Sequence, residues 1–182
     1  MRTRKNKCIF KKKDLGSGDG MLTTVWGPSF WHVLHTMSFN YPVNPSKEDK
    51  ENYKSFVLNL QNVLPCKYCR QNLTKNFKIV PLLAKHLENR DAFSRYMYSL
   101  HECVNKMLKK KSNLSYCEVR ERYEHFRARC TTDTIKVKPS IEKGCTEPLY
   151  KGHKAKGIIK IIPDKVKCTS LSIDPSCLKT FA

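Results

Sequence analysis

No stretch of this sequence approaches the ~20 consecutive apolar residues that a helix needs to cross a bilayer, so no membrane span is expected. The opening MRTRKNKCIFKKKDLGSGDG is basic but holds no apolar run of signal-peptide length. An intracellular, cytoplasmic protein is therefore expected. Acidic residues are scarce: 16 Asp and Glu face 35 Lys and Arg, for a net charge of +19. Residues 1–22 carry seven Lys/Arg against two Asp/Glu, and residues 23–130 carry eighteen against nine. The excess is thus spread along the chain. It fits either a Lys-rich soluble protein or one that steers acidic partners. No helix-turn-helix or finger signature accompanies it, so nucleic acid is not the expected partner. Glycine is also sparse, at 7 residues in 182, with no Gly-rich phosphate loop. No strand pattern precedes residue 130, which argues against a βαβ, thioredoxin-like setting. There is no internal repeat.

Helical periodicity is what fills residues 23–130. In WGPSFWHVLHTMSF, Trp26, Phe30, Trp31, Leu34 and Met37 recur at three and four and form one face. PSKEDKENYKSFVLNLQNVL offers Ser46 as an N-cap followed by acidic residues. Its apolar stripe is Tyr53, Phe56, Val57, Leu60 and Leu64. CKYCRQNLTKNF restarts after Pro65, and AFSRYMYSLHECVNKMLKK stripes Phe93, Tyr96, Met97, Leu100, Val104, Met107 and Leu108. YCEVRERYEHFRARC reads as a last short helix. The fold class expected is all-α, a four-helix bundle with a short fifth helix. It is flanked by a basic, disordered tail (1–22) and an irregular extension (131–182) rich in Lys, Pro and Cys.

Nine cysteines are many for a reducing compartment. Two of them form a C-x-x-C, LPCKYCR, at Cys66 and Cys69. Pro65 suits the first turn of a helix, so Cys66 falls at a helix N-terminus. There the helix dipole, with Lys67 and Arg70, favours a thiolate. Such a pair can cycle between dithiol and disulfide. The alternative is a zinc-stabilised helical module without catalysis, but a structural zinc site needs a second knuckle of Cys or His. The remaining cysteines (8, 103, 117, 130, 145, 168 and 177) stand singly.

A redox pair needs an electron acceptor. Trp31 and His35 share a helix face at i, i+4, as do His101 and Asn105. An aromatic, two histidines and an amide turned into one bundle could hold a flat heteroaromatic cofactor, with Lys109 and Lys110 at its phosphates. Taken alone, each histidine is more often a satisfied core residue, and Trp31 alone is simply core.

In this order, FWHVLHTMSFNYPVNP, LPCKYCR, HECVNKMLKK and CEVRERY resemble the Erv/ALR family of FAD-linked sulfhydryl oxidases across residues 23–128. The resemblance implies FAD as cofactor, a site at the mouth of the bundle and a homodimer. Protein dithiols would be the substrates, with molecular oxygen reduced to hydrogen peroxide. By position it implies that Trp31, His35, Tyr41, His101, Asn105 and Lys110 contact FAD. Tyr123 stands where the family usually has tryptophan against the flavin. Cys66 matches the cysteine that exchanges with substrate, and Cys69 the one beside the flavin. Compact relatives with private C-terminal extensions resemble those of large DNA viruses, which implies host cytoplasm or virion as the location.

Two departures stand out. Glu102 replaces an asparagine of the family's His-Asn-x-Val-Asn motif. The family's structural bridge would join position 92, here alanine, to Cys117. Cys103 is the alternative mate for Cys117. Cys130 is a poor one, because a helix running between them would hold them ~20 Å apart. In the extension, Cys168 and Cys177 of CTSLSIDPSC are close enough to form a small loop. They could be a shuttle pair that ferries electrons to the core cysteines, or simply two unpaired thiols.

Overall fold

The computed structural model describes residues 9–16, 18, 20–130, 146–149, 155–169 and 171–178. Five α-helices follow one another: α1 (Thr23–Phe39), α2 (Lys47–Val63), α3 (Lys67–Ile79), α4 (Arg90–Met107) and the short α5 (Tyr116–Glu124). α1 packs on α4 and on α5, α2 on α3, and α3 on α4. The expected four-helix bundle with a short fifth helix is what forms. A 3-10 turn, Ala84–Leu87, leads into α4.

Local chemistry explains where the helices begin. Ser46 caps α2 as read from the sequence. Its hydroxyl accepts from the Asp49 amide, and the Asp49 carboxylate accepts from the Ser46 amide in return, a complete capping box. Ser115 and Glu118 repeat the device at α5, and the Asn89 side chain caps α4. The end of α4 is a Schellman-type turn. The Lys110 amide donates to the Asn105 carbonyl, with Lys109 at φ +55 in the left-handed position that glycine usually takes.

The core is built from Leu34, Tyr41, Val57, Leu60, Leu73, Phe93, Tyr96, Met97 and Leu100, with Leu82 and Leu87 from the loop before α4. The sequence stripes are only partly buried. Phe56 is 40% exposed, and Met107 and Leu108 are 40% and 49% exposed. At the end of α4 the neighbouring elements cover the side chains only in part, so periodicity continues where burial falls off. The helix read through residue 130 also ends early. α5 stops at Glu124, and Ala128–Cys130 forms a strand, β1, paired antiparallel with Thr146–Pro148, β2. Arg127 holds this exit by donating to the Glu124 carboxylate and to the Phe39 carbonyl. β-branched residues of the run GIIKIIP form no regular element. Ile158, Ile159 and Ile161 are 80%, 73% and 69% exposed.

Within the segment read as a disordered tail, Lys12–Gly16 forms an exposed 3-10 turn. Gly20 makes an isolated antiparallel bridge with Cys66, and the Met21 amide donates to the Pro65 carbonyl at 2.7 Å. Among the described residues, no helix is long and apolar enough to cross a membrane.

Candidate active site

Cys66 is the N-cap of α3, and Pro65 stands just before the helix, not in its first turn. The Cys66 sulfur accepts a hydrogen bond from the Cys69 amide at 3.2 Å, the task a serine or aspartate oxygen performs at other helix starts. Both cysteines are half-buried free thiols. Their acidities diverge. Hydrogen bonding with Cys69 holds the Cys66 thiol below the ordinary cysteine value, with help from the Thr23 hydroxyl. Burial pushes the Cys69 thiol up, and the neighbouring Cys66 side chain adds to the rise. A pair poised in this way has one thiolate-prone sulfur open to attack and one more shielded sulfur, an asymmetry suited to directional disulfide exchange.

α1 runs away from the pair. Thr23, Gly27, Trp31 and His35 follow at intervals of four, one inclined row on the helix surface. Gly27 is buried, and a methyl there would meet only Thr23 Cγ2, at 3.5 Å. Trp31 lies parallel to His101 of α4, with ring centroids 3.9 Å apart and planes 6° from coplanar. His35 Nε2 and His101 Nδ1 are 2.9 Å apart. Tyr123 of α5 closes the cluster. Its ring is 5.4 Å from His35 and stacks on Phe39, and its hydroxyl is 3.3 Å from His32 Nδ1.

The two central histidines are neutral. Burial brings His35 down to about 3, with the charges of His101 and His32 adding to the fall. Burial brings His101 to about 4, opposed by Glu102 and assisted by Lys110. Two imidazoles sharing one hydrogen bond cannot both be protonated there without facing two N–H groups. His35 Nδ1 is buried with no hydrogen-bond partner among the described residues, an unsatisfied polar atom at the centre of the cluster.

The structure thus brings together Trp31, His35, His101 and Tyr123, four of the seven residues read as cofactor-binding. Asn105 lies one turn beyond His101, and its side-chain amide donates to Glu102 Oε1 at 2.9 Å. The acidic departure at residue 102 therefore fixes the asparagine rather than displacing it. Lys110 is exposed after the Schellman turn. Tyr41 is not in the cluster. It is fully buried against Tyr53 and Phe93, and its hydroxyl donates to the Leu87 carbonyl. His32 and Phe39 join the cluster although the sequence reading passed over them. His32 lies three residues before His35 on α1, and that spacing was the available signal.

Cys103 and Cys117 are both free, so neither supplies a bridge to α5. Polar contacts hold α5 to α4 instead. The Tyr116 hydroxyl meets Ser94 Oγ at 2.8 Å and Asp91 Oδ1 at 3.2 Å, and the Arg95 guanidinium lies 4.1 Å over the Tyr116 ring. Cys168 is exposed and Cys177 half-buried, both free. Among the described residues no group of three or more His, Cys, Asp or Glu converges as a metal would require.

Comparison with known proteins bears on the fold and the family. The FAD-binding domain of Erv1 from Saccharomyces cerevisiae superposes with a TM-score of 0.51 at 27% identity, covering 57% of this chain and 94% of that one. A probable FAD-linked sulfhydryl oxidase of Acanthamoeba polyphaga mimivirus is 34% identical over 99 residues, 54% of this chain and 68% of that protein. The FAD-linked sulfhydryl oxidase of African swine fever virus is 35% identical over 103 residues, 54% of this chain and 80% of that protein. The Erv1 / Alr family model matches residues 28–127, which takes in the C-x-x-C at Cys66 and Cys69, His35, His101 and α5. The chain belongs to the Erv1 / Alr family.

Proposed function

We propose that the protein is an FAD-linked sulfhydryl oxidase that makes disulfides in protein dithiols through Cys66 and Cys69. The observation that carries this reading is the unequal free-thiol pair capping α3, in a chain of this family. The residues present suit FAD. His35 Nδ1 lacks a partner among the described residues, the Trp31–His101 slab offers an aromatic face, and a methyl at Gly27, one turn before Trp31, would meet only Thr23. Trp31, His35, His101, Asn105 and Tyr123 would hold the cofactor, with Lys110 near its phosphates.

In the oxidised enzyme a substrate thiolate attacks Cys66 Sγ of the Cys66–Cys69 disulfide. A mixed disulfide forms, and Cys69 leaves as thiolate. The second substrate thiolate attacks the substrate sulfur of that mixed disulfide, freeing Cys66 and the product disulfide. Bound FAD would supply the two-electron chemistry that returns the pair to the disulfide and delivers the electrons to oxygen as hydrogen peroxide. The neutral His35–His101 pair brings no positive charge into the cluster. Trp31 and Tyr123 wall it from water. Exposed apolar side chains on α1 (Val25, Val33) and on α2 (Phe56, Val63) are available for pairing as a homodimer.

The cofactor assignment has a direct test. Replacing His101 and Asn105 together by Ala should weaken FAD by about 10²-fold or more, since both a ring stack and a polar contact are lost. Flavin absorbance retained after gel filtration would be read against wild type. A double variant that keeps full flavin content would place the cofactor elsewhere.

We further propose that Cys168 and Cys177 are the shuttle that relays electrons from protein substrates. Changing both to Ser should slow oxidation of a protein dithiol several-fold and leave that of dithiothreitol unaltered. Equal rates on both substrates would remove the shuttle.

A further inference from the structure

The hydroxyl of Thr23 lies 3.6 Å from Cys69 Sγ, and the segment that carries it is clamped against the redox motif. Gly20 bridges to Cys66, and the Met21 amide donates to the Pro65 carbonyl. The Trp26 indole N–H then donates to the Met21 carbonyl at 3.1 Å. The crossing is so close that a methyl on Gly20 would sit 2.7 Å from the Pro65 oxygen and 3.0 Å from Cys66 Cα. Only a glycine passes at this distance without moving the motif. The first residue of α1 is thereby set against the start of α3, 46 positions away in sequence. Among the described residues no side chain makes a cap hydrogen bond at this helix start, where Leu22 is the cap residue.

We infer that Thr23 is a catalytic residue of the thiol–disulfide exchange, its hydroxyl donating a hydrogen bond to Cys69 Sγ when that sulfur leaves as a thiolate. The inference rests on the sulfhydryl oxidase reading above. When a substrate thiolate attacks Cys66 Sγ, the new bond forms to Cys66 and the Cys66–Cys69 bond breaks. Its electron pair goes to Cys69 Sγ. No proton is transferred from Thr23, which turns its O–H toward the charge. Hydrogen bonds to charged acceptors are about twice as strong as neutral ones, so the contact favours the state after attack over the disulfide before it, as selective stabilisation of developing charge requires. In the reduced pair the same hydroxyl can accept from the Cys69 thiol. It also bears on Cys66, whose thiol it helps to lower, so one hydroxyl serves both sulfurs.

The test uses the full chain in a Cys66→Ser background, where Cys69 is the only sulfur of the motif. The pH dependence of Cys69 alkylation by iodoacetamide is followed at that cysteine by peptide mass spectrometry. Thr23→Val keeps the shape and removes the O–H. It should raise the alkylation midpoint by about one pH unit, the size expected for one hydrogen bond to a charged group. Thr23→Ser should restore the midpoint. With both cysteines present, Thr23→Val should lower kcat more than it raises KM for dithiothreitol, because the bond strengthens only after attack. Circular dichroism verifies that the fold is retained. A midpoint unmoved by Thr23→Val, or a rise that Thr23→Ser fails to reverse, overturns the role. The alkylation readout needs neither flavin nor turnover. Absence of oxidase activity in the wild-type protein would instead overturn the functional reading, with the alkylation result standing apart from it.

Discussion

Cys66→Ser and Cys69→Ser should each reduce oxygen-linked oxidation of dithiols by at least about 10³-fold in kcat/KM, the order lost when one member of a catalytic unit is removed. The two variants should fail differently. In Cys66→Ser the remaining thiolate is Cys69, the more shielded sulfur beside Thr23. In the FAD-loaded protein a long-wavelength absorption band is expected from it. Cys69→Ser should lack that band, yet accumulate mixed disulfides through Cys66 that a non-reducing gel resolves. Thermal stability should change little in either case. A disulfide that closes so short a loop restrains few unfolded conformations, and Ser at position 66 can still cap α3. A double Ser variant that turned over dithiols at the wild-type rate would put the redox pair elsewhere in the chain. A single variant that unfolded would restore a structural role for the motif.

Acidification should destabilise the FAD-free protein well above the pH at which carboxylates titrate. His35 and His101 have folded-state values near 3 and 4 against an ordinary 6.5, so between pH 6.5 and 4 the unfolded chain binds protons that the folded chain refuses. Stability is then fully present above pH 6.5 and is lost as pH falls toward the folded values. At pH 5 each group has lost about 2 kcal/mol, from 1.36 kcal/mol per unit over about one and a half units, or about 4 kcal/mol for the pair. Set against a total of about 5–15 kcal/mol for an ordinary domain, that is a large fraction. His86, also lowered first by burial, acts in the same direction. Urea midpoints at pH 7 and pH 5 would measure the loss. The His101→Gln variant should keep about half the slope. A wild-type midpoint that holds between these two pH values would mean that the histidines are not buried as neutral groups.

The helical region was legible in the sequence because its signals are local. Ser46, read as a cap, sits where a side-chain oxygen meets a free amide of a helix start; Asn89 and Ser115, which the sequence reading passed over, do the same. The stripe Phe93, Tyr96, Met97 and Leu100 repeats at the helical period and is 1–2% exposed. The same rule misjudged Phe56, Met107 and Leu108, since periodicity places a side chain on a face but does not say how far the neighbouring helix extends to cover it. Tyr41 shows the same limit at the site. Its position suits cofactor contact, yet its ring is packed between Tyr53 and Phe93. The strand at Ala128–Cys130 was illegible, because its pairing partner begins 16 residues beyond Cys130, at Thr146.

The sequence by itself determined the all-α character, the cap of α2, and a cysteine pair one turn apart where an α-helix begins. Only the tertiary structure decided what those groups meet. His35 finds His101 across 66 residues, His32 finds Tyr123 across 91, and Cys69 finds Thr23 across 46. Caps and stripes depend on backbone geometry within a few residues, which each segment carries in its own composition. Contacts between helices depend on where α1, α4 and α5 lie against one another, and that is set by the packing of the whole core.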